Sequence, residues 1–334
     1  MNKRLTLTEA NALARRVLTP CPVSEAAAAA VAAALVAAEA DGLASHGLSR
    51  LPAYADQARS GKVAGMAEPI LTRTARAALR VDARDGFAYP ALALGLKAAA
   101  DLAPETGVVA LAIANSHHFG VAGHHVEMLA ARGLIGLIFG NSPGAIAAWG
   151  GVRPLFGTNP IAFACPRANK PPLVIDLSLS KVARGKVMVA AQKGEAIPEG
   201  WALDAAGRPT TDAKAALAGT MLPMGDARGA QLVLMVELLA AALTGSQFGY
   251  EAGSFFTADG PPPRVGQFVL AFDPKAFAGP VDFTARAEAL FTAILTESGT
   301  RLPGDRRLKL RGRARAEGVE IPEVLYQDLM KRAS

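Results

Sequence analysis

Histidine is the side chain whose charge changes near neutral pH, and the five histidines of this chain fall in two short stretches. In the first stretch, Ser45-His46-Gly47, the imidazole precedes Arg50 by four residues. If a helix begins close to His46, both side chains share one face and point into the same space. A guanidinium binds a carboxylate in a bidentate manner, and an imidazole can give a proton to a neighbouring carbonyl or imine. The alternative is a Ser-His pair that caps a helix, with Arg50 on the surface.

The second stretch contains the other four histidines, His117, His118, His124 and His125. Their spacing leaves a zinc or nickel site open, although no Cys joins them and the first nearby acid is Glu127. Gly120 and Gly123 favour a different interpretation, a strand-to-helix turn at which the backbone approaches a ligand closely. The helix amides after such a turn would be free to bind an anion, for example the phosphates of a cofactor.

Three later segments carry polar side chains at the ends of predicted strands. Thr158 and Asn159 precede a strand and could hydrogen-bond a substrate, although Asn-Pro is also an ordinary turn signal. Asp176 follows a strand, in a short acidic and hydroxyl-bearing loop of the kind that often lines a site. Lys186 could stabilise a developing negative charge or pair with Asp176.

Composition predicts a compact globular protein. Of the 334 residues, 51% are hydrophobic and 19% are charged, which is a low charge content for a disordered chain. Cys21 and Cys165 cannot build a disulfide framework, and no apolar signal segment follows Met1, so we expect a cytoplasmic protein. The most apolar runs are too short to span a membrane and predict buried helices.

The net charge of +6 is unevenly placed, because seven Lys or Arg and a single Asp lie between Arg301 and Arg315. No aromatic side chain is interleaved in this run, and we recognise no nucleic-acid-binding motif, which argues against a nucleic-acid partner. Two interpretations of the run stay open. The run forms either a helix face exposed to solvent or part of the surface that binds a phosphate group.

Apolar periodicity and turn residues predict the elements that must position these groups. Helices are expected over 8–18, 25–41, 49–60, 90–102, 121–132, 231–243, 284–295, 308–317 and 322–331. Strands are expected over 78–81, 108–112, 134–139, 161–164, 173–175 and 268–272. The chain therefore has a helical N-terminus, a central α+β body and helices at its end. No two glycines stand two positions apart, which excludes an ordinary Gly-x-Gly-x-x-Gly dinucleotide turn.

Six short motifs follow one another along the chain, namely Ser45-His46-Gly47, Arg50-Leu51-Pro52-x-Tyr54, Ser116-His117-His118-Phe119-Gly120, Phe156-Gly157-Thr158-Asn159-Pro160, Ile197-Pro198-Glu199-Gly200-Trp201 and Arg301-Leu302-Pro303-Gly304. In their order and coverage they resemble the malate/L-lactate dehydrogenase family, whose fold lacks a Rossmann domain. The resemblance implies an α+β, non-Rossmann NAD(P)-binding fold with a central mixed or antiparallel sheet. It also implies an α+β cofactor domain over 76–274, a helical domain built from 1–75 with 275–334, and a homodimer.

The same resemblance assigns the site residues. Ser45, His46 and Lys186 would be catalytic, and Arg50 and Thr158 would bind the substrate. The implied cofactor-binding residues are His118, Phe119, Gly120, Val121, Ala122, Asp176, Leu177, Ser178, Arg228, Arg301, Leu302, Pro303, Gly304, Asp305 and Arg306. Lys186 stands where some imine reductases of the family carry Asp, and Arg228 where the family generally has Lys.

The activity implied by the resemblance is transfer of a hydride from NADPH, or from NADH, to C2 of a small cyclic 2-imino acid. A malate-, lactate- or ureidoglycolate-type 2-hydroxy-acid dehydrogenase is the alternative within the family. A metal- or nucleic-acid-binding protein is the alternative from a different class. The expected partners are a small 2-imino or 2-oxo acid and a second copy of the chain, with no nucleic acid, membrane or bound metal.

Overall fold

A computed structural model describes residues 2–279 and 281–334. The strands are β1 (Asn2–Leu5), β2 (Ile70–Ala75), β3 (Ala78–Asp82), β4 (Val108–Ser116), β5 (Ile135–Gly140), β6 (Ile146–Ala147), β7 (Pro154–Phe156), β8 (Ile161–Arg167), β9 (Lys170–Leu177), β10 (Ala202–Leu203), β11 (Pro209–Thr210), β12 (Thr220–Met221), β13 (Val265–Phe272) and β14 (Val319–Pro322). The α-helices are α1 (Leu7–Leu18), α2 (Glu25–Ala40), α3 (Leu51–Arg59), α4 (Ala88–Thr106), α5 (Ala122–Ala130), α6 (Arg184–Lys193), α7 (Ala213–Ala218), α8 (Asp226–Glu237), α9 (Pro274–Phe277), α10 (Phe283–Leu295), α11 (Asp305–Glu317) and α12 (Glu323–Arg332).

The largest sheet has the strand order β2-β3-β4-β13-β5-β8-β9. Strands β3 and β4 run parallel, joined by the crossover helix α4, and the other neighbouring pairs in this sheet are antiparallel. The prediction of a mixed α+β fold is therefore confirmed. All six predicted strands belong to this sheet, with bounds that differ from the predicted ones by up to four residues.

The two faces of the sheet pack on different helices because side chains alternate along each strand. Ile138 and Ala162 face a core shared with α4 and α5, whereas Leu137, Phe139 and Ile161 face a core shared with α6, α7 and α8. The turn after β4 provides residues 117–121 and lies next to α5, as does the end of β9. Asp176 was expected in the loop after its strand, but Asp176 and Leu177 are the last two residues of β9, paired with β8, and Ser178 follows them.

The N-terminal helices share a third core with the C-terminal segment of the chain. Helices α1, α2 and α3 pack with Val319, Ile321 and Leu329, and β1 pairs antiparallel with β14. At the start of α2, Ser24 Oγ accepts a hydrogen bond from the Ala27 amide N–H, so Ser24 caps the helix as predicted from the sequence. The prediction that both chain ends contribute to one helical region therefore agrees with this core.

Three features differ from the expected arrangement. Residues 2–5 form a strand, and β2, which falls within the range 1–75, pairs with β3 in the largest sheet. Helix α10, within the range 275–334, packs on β8 through Phe291 and Cys165 rather than on the N-terminal helices. The domain boundaries expected between residues 75 and 76 and between residues 274 and 275 stay a prediction.

A second sheet, with the strand order β11-β10-β12-β6-β7, was not predicted from the sequence. Four of its strands have two residues each, which is too short to show a two-residue alternation. Its residues share a core with α6, so the sheet positions the N-terminus of that helix. Among the described helices, none is long and apolar enough to cross a bilayer.

Candidate active site

A cavity of about 1010 Å³ lies between the N-terminal helical region and the largest sheet. Its volume is at the upper end of the range for small-molecule sites. Many of the predicted site residues line it together, namely Ser45, His46, Arg50, His118, Gly120, Val121, Ala122, Thr158, Asp176, Leu177, Ser178, Pro303 and Gly304. Five of the six sequence motifs therefore converge on one cavity although they lie far apart in the chain, whereas none of residues 197–201 lines it.

His46 and Arg50 do not share one α-helix face, so that part of the sequence argument is wrong. The chain forms two 3-10 turns, Ala44–His46 and Leu48–Arg50, before α3 begins with Pro52 in its first turn. Gly47 interrupts the helical geometry between the two turns, with φ of −95° and ψ of −145°. Both side chains still reach the cavity wall.

The Ser45 and His46 side chains form a pair, with Ser45 Oγ 3.0 Å from His46 Nδ1. Burial lowers the pKa of His46 to about 4, and the positive charge of Arg50 acts in the same direction. The imidazole is therefore neutral at pH 7 and able to accept a proton. An anion bound beside it would favour its protonated form.

Arg50 keeps a hydrogen-bond donor free for a ligand. Its Nε donates to the Ser45 carbonyl oxygen at 2.8 Å, and its guanidinium carbon lies 4.5 Å from the centre of the Phe256 ring. Within the described residues, its buried Nη1 has no hydrogen-bond partner. A buried charged donor without a partner is costly, so this atom marks where an anionic group can bind.

The loop that carries Phe255 and Phe256 is held by α3 and the residues after it. Lys62 Nζ donates to the carbonyl oxygens of Thr257 and Asp259 at 3.0 and 2.7 Å, and Gln57 Nε2 donates to that of Thr257 at 3.1 Å. The ring centres of Phe255 and His118 are 5.0 Å apart. This loop therefore covers one end of the cavity with two aromatic rings.

Glu39, a residue that the sequence analysis did not single out, supports the turn between His46 and Arg50. Its carboxyl oxygen accepts the Leu48 amide N–H at 2.8 Å, and a Cβ atom at Gly47 would overlap that carboxyl group. Burial raises the pKa of Glu39 to about 7. Both protonation states of the carboxyl group can accept this hydrogen bond, and so can the amide oxygen of glutamine.

We expect Glu39→Leu to lower kcat/KM by about 5- to 150-fold, because it leaves the buried Leu48 N–H without an acceptor, a loss of about 1–3 kcal/mol. Glu39→Gln keeps the acceptor and should stay within a few-fold of the wild type. Steady-state kinetics of the two variants, with thermal unfolding as a control for folding, make the comparison. Equal losses in both would show that the hydrogen bond to Leu48 does not position the turn.

The four histidines of the second stretch point to four different partners. His117 Nε2 is 2.7 Å from Gln57 Oε1, His118 Nδ1 is 2.6 Å from the Tyr54 hydroxyl, His124 Nε2 is 2.7 Å from Asp41 Oδ2, and His125 Nε2 is 2.7 Å from the Phe119 carbonyl oxygen. Over residues 2–279 and 281–334, no three His, Cys, Asp or Glu side chains converge as metal ligands do. Of these four histidines, His118 alone lines the cavity.

Buried neutral histidines predict a loss of stability in acid. Burial lowers the pKa of His117 to about 3 and those of His46 and His125 to about 4, below the ordinary value of 6.5. Between these values the unfolded chain binds more protons than the folded one, so the free energy of unfolding falls as pH falls. Each such histidine contributes up to about 1.4 kcal/mol per pH unit.

His125→Gln tests this, because glutamine can donate to the Phe119 carbonyl oxygen and does not titrate. Urea unfolding at about pH 6 and pH 5 should show a shallower pH dependence for the variant, by up to about 1.4 kcal/mol per pH unit. An unchanged slope would mean that His125 is not held neutral in the folded protein.

The turn between β4 and α5 has the predicted strand-to-helix form, with Gly120 at φ of +69°. The expectation that the N-terminal amides of α5 are free for an anion is wrong for Gly123. Asp176 Oδ2 accepts the Gly123 N–H at 2.8 Å, so a carboxylate already occupies that donor. Asp176 also lies exposed at the cavity wall, where its carboxylate can accept hydrogen bonds from the hydroxyl groups of a ribose.

Other predicted cofactor residues lie beside or behind the wall. A smaller adjoining cavity of about 440 Å³ is lined by all of residues 301–306. Phe119 and Leu302 are buried in the cores behind it. Lys186 and Arg228 are exposed in the first turns of α6 and α8, and neither lines either cavity.

The basic C-terminal run combines the two interpretations proposed from the sequence. Within α11, Arg311 binds the carboxylates of Asp41 and Glu127 at 2.7 and 2.8 Å, and the first of these ion pairs lowers the pKa of Asp41 to about 2. Arg307 lies 3.5 Å from Asp41 and 3.3 Å from Glu127. It also lines both cavities, whereas Arg313 and Arg315 are exposed.

The wall between the turn at Gly120 and the turn at Gly304 fits a dinucleotide. Gly304 lines the cavity with φ of +89°, and a Cβ atom there would lie 3.4 Å from the Val174 carbonyl oxygen, so a side chain at this position would be strained. Arg307 adds positive charge to this wall, and its Nε and Nη2 atoms lie 3.5 Å from Asp41 and 3.3 Å from Glu127. A guanidinium together with the exposed carboxylate of Asp176 matches the phosphate and ribose groups of such a cofactor.

Sequence reasoning missed Arg184, which lines the cavity and donates from Nη1 to the Gly144 carbonyl oxygen at 3.1 Å. The sequence analysis selected Lys186 from the same segment. Residues two apart on a helix point to nearly opposite sides, so one of these two cations faces the cavity and the other faces solvent. No local sequence signal distinguishes Arg184 from Lys186, because the position of α6 beside Ser45 depends on the fold.

Comparisons with known proteins agree with this geometry. A sequence model of the malate/L-lactate dehydrogenase family matches residues 5–330. The chain is 56% identical to the (2R)-3-sulfolactate dehydrogenase (NADP(+)) of Chromohalobacter salexigens and 42% identical to a Δ1-pyrroline-2-carboxylate/Δ1-piperideine-2-carboxylate reductase of Pseudomonas aeruginosa, with 98% of each chain covered in both cases. The crystal structure of the Δ1-piperideine-2-carboxylate reductase from Pseudomonas syringae pv. tomato superposes with a TM-score of 0.93 at 38% identity, covering 99% of each chain.

Proposed function

The chain belongs to the malate/L-lactate dehydrogenase family, and from this premise we propose that it is an NADP(H)-dependent oxidoreductase acting at C2 of a small 2-hydroxy, 2-oxo or 2-imino acid. The observation that carries the proposal is the free, buried Nη1 of Arg50 in the same cavity wall as the Ser45-His46 pair. This arrangement supplies a carboxylate-binding group beside a proton-transfer group. NADPH is the proposed cofactor because the 56% identical relative carries NADP(+) in its name.

The residues act on the substrate in three ways. Arg50 binds the carboxylate and thereby orients C2 toward the cofactor side of the cavity. His46 takes the proton of the C2 hydroxyl during oxidation and returns it to the carbonyl oxygen during reduction, and Ser45 orients the imidazole through Nδ1. Bound NADP(H) accepts or supplies the hydride.

For the substrate, we propose a 2-hydroxy acid of the (2R)-3-sulfolactate type. The 56% identity over nearly the whole chain supports this choice.

The second candidate is reduction of a cyclic 2-imino acid, the substrate favoured from the sequence. It is supported by relatives named as Δ1-pyrroline-2-carboxylate reductases at 41–42% identity. Protonation of the imine would again come from His46. Thr158 is retained as a proposed substrate contact in both cases. The roles of Lys186 and Arg228, which are exposed and line neither cavity, stay predictions.

A substrate panel tests the proposal. Purified protein is mixed with NADP+ and 3-sulfolactate, malate or lactate, and with NADPH and Δ1-pyrroline-2-carboxylate, while the absorbance of NADPH is followed. Turnover of 3-sulfolactate above all others is the expected result. Turnover of the cyclic imine alone would favour the second candidate, and no turnover of any of the four would overturn the proposed function.

A homodimer is proposed from the resemblance and from one exposed apolar face. Leu234 on α8, Leu238 at the start of the π-helical turn after it and Leu243 just beyond that turn are each 45–58% exposed. Apolar side chains clustered on a surface often mark a protein interface. Sedimentation equilibrium should give twice the chain mass, and a monomer at micromolar concentration would contradict the proposal. A cytoplasmic location also stays a prediction.

A further inference from the structure

The cavity wall has more positive charge than a monocarboxylate substrate requires. Its charged lining residues are Arg50, Arg153, Arg184, Arg307 and Asp176. Arg307 lies beside Asp41 and Glu127, and Arg153 is exposed to water with its guanidinium 5.1 Å from the centre of the Tyr250 ring. In the part of the chain that the structure describes, Arg50 and Arg184 form no salt bridge.

Arg184 lies at the same end of the cavity as the Ser45-His46 pair. It is the first residue of α6, and a Cβ atom on the next residue, Gly185, would lie 3.4 Å from Ser45 Cβ. Across the cavity wall, Arg184 Nη1 reaches Gly144, two residues after Ser142, whose hydroxyl accepts the Thr158 amide N–H. Arg184 therefore lies between the proton-transfer pair and the turn that carries Thr158.

The environment of Arg184 leaves its charge uncompensated. Its one described hydrogen bond, to the Gly144 carbonyl oxygen, uses one of the five N–H donors of a guanidinium. Burial lowers the pKa of Arg184, and no neighbouring charge offsets this effect. A partly buried cation that faces a ligand cavity without an acid is stabilised when an anionic group binds.

We propose that Arg184 binds a second anionic group of the substrate, so that the site takes small dianionic 2-hydroxy or 2-oxo acids. Arg50 then holds the carboxylate next to C2, and Arg184 holds a sulfonate or a second carboxylate at the other end of the molecule. This inference rests on the proposed function and narrows its substrate class. It makes Arg184 a specificity-determining residue, since a monoanion such as lactate offers it no partner.

Three related substrates test the inference. 3-Sulfolactate, malate and lactate share a 2-hydroxy carboxylate and differ at C3, which carries a sulfonate, a carboxylate or only hydrogens. The wild type should have a kcat/KM at least about 30-fold higher for one dianion than for lactate, since a buried charge pair is worth about 2 kcal/mol or more. The favoured dianion distinguishes a sulfonate from a carboxylate subsite.

Arg184→Gln should lower kcat/KM for the preferred dianion by about 30- to 1000-fold and for lactate by less than about 3-fold. For the preferred dianion, kcat/KM of Arg184→Lys should lie between those of the wild type and Arg184→Gln, because lysine keeps the charge without the planar guanidinium. Lys193→Gln is the matched control, since it removes a positive charge from the exposed last turn of the same helix. A loss that is equal for dianion and lactate would indicate a structural role and overturn the inference.

Binding measured without turnover separates this inference from the proposed function. Calorimetric titration of the protein with each acid, in the presence of NADP+, should show tighter binding of a dianion than of lactate, with the difference lost in Arg184→Gln. If this pattern holds while no acid is turned over, the subsite stands and the proposed reaction fails. If the wild type binds all three acids equally, or turns over the cyclic imine without binding either dianion, the inference is overturned.

Discussion

We expect His46→Ala to lower kcat by about 100- to 10,000-fold with NADP+ and the preferred 2-hydroxy acid, because it removes the group that moves the substrate proton. The dissociation constant of NADPH should change little, since His46 lies at the Ser45 end of the cavity rather than at the wall formed by residues 303 and 304. Steady-state kinetics and a fluorescence titration with NADPH measure the two quantities separately.

The control for His46→Ala is His125→Gln, which also removes an imidazole but lies outside the cavity lining. It should keep kcat within a few-fold of the wild type. Ser45→Ala should produce an intermediate loss, because the imidazole remains but loses its Nδ1 partner. A His46→Ala enzyme with the kcat of the wild type would remove His46 from the mechanism.

Arg50→Gln should lower kcat/KM by about 30- to 1000-fold, mainly through a higher KM for the 2-hydroxy acid. The reason is the loss of the charged donor Nη1, which is buried beside the site with no partner among the described residues. The loss should be similar for 3-sulfolactate and lactate, in contrast to Arg184→Gln, because both substrates carry the carboxylate that Arg50 binds. Initial rates over a range of acid concentration at saturating NADP+ give the result.

Arg59→Gln serves as the matched control for Arg50. It removes a guanidinium from the end of α3, where Arg59 pairs with Asp56 outside the cavity, and should leave KM unchanged. If Arg50→Gln has the KM of the wild type, the carboxylate binds elsewhere, and Arg184 would be the next residue to examine.

The helices that the sequence predicts well are those with local end signals. Ser24 caps α2, and Gly42 follows it with φ of +74°, so a local pattern determines both ends. Six of the seven strands of the largest sheet were also predictable, because each is a run of apolar residues bounded by polar or glycine-containing turns. The edge strand β2 was not predicted, because its sequence, Ile-Leu-Thr-Arg-Thr-Ala, is half polar and mostly exposed. The two-residue strands of the second sheet carry no such pattern, and pairing with distant residues alone defines them.

The convergence of His46 and Arg50 was predicted correctly, but the structural reason for it was not. His46 and Arg50 do face one cavity, but two 3-10 turns and the support of Glu39 bring them there, not a shared helix face. Local spacing cannot reveal Glu39, because its hydrogen bond to Leu48 depends on how α2 packs against the turn.

Long-range ion pairs and buried cations were not predictable from local sequence. Arg311 and Asp41 are 270 residues apart, and their pairing explains why the basic run is not simply a solvated face. The role proposed for Arg184 depends on the position of α6, which the unpredicted second sheet supports. Chemistry-bearing residue types could thus be recognised in the sequence, whereas the balance of charge in the cavity required the fold.

Transfer of deuterium from the reduced cofactor to the substrate tests the central claim most directly. The protein is given NADPH in which both hydrogens at the nicotinamide C4 are deuterium, so that the label is transferred whichever face is used. The second reactant is the 2-oxo acid that corresponds to its preferred 2-hydroxy acid, and the product is analysed by mass spectrometry and NMR. The account predicts one deuterium at C2 of the product, with the hydroxyl proton coming from water, and a rate that falls with His46→Ala. A product with only solvent hydrogen at C2, or no reduced product from any 2-oxo or 2-imino acid, would contradict it.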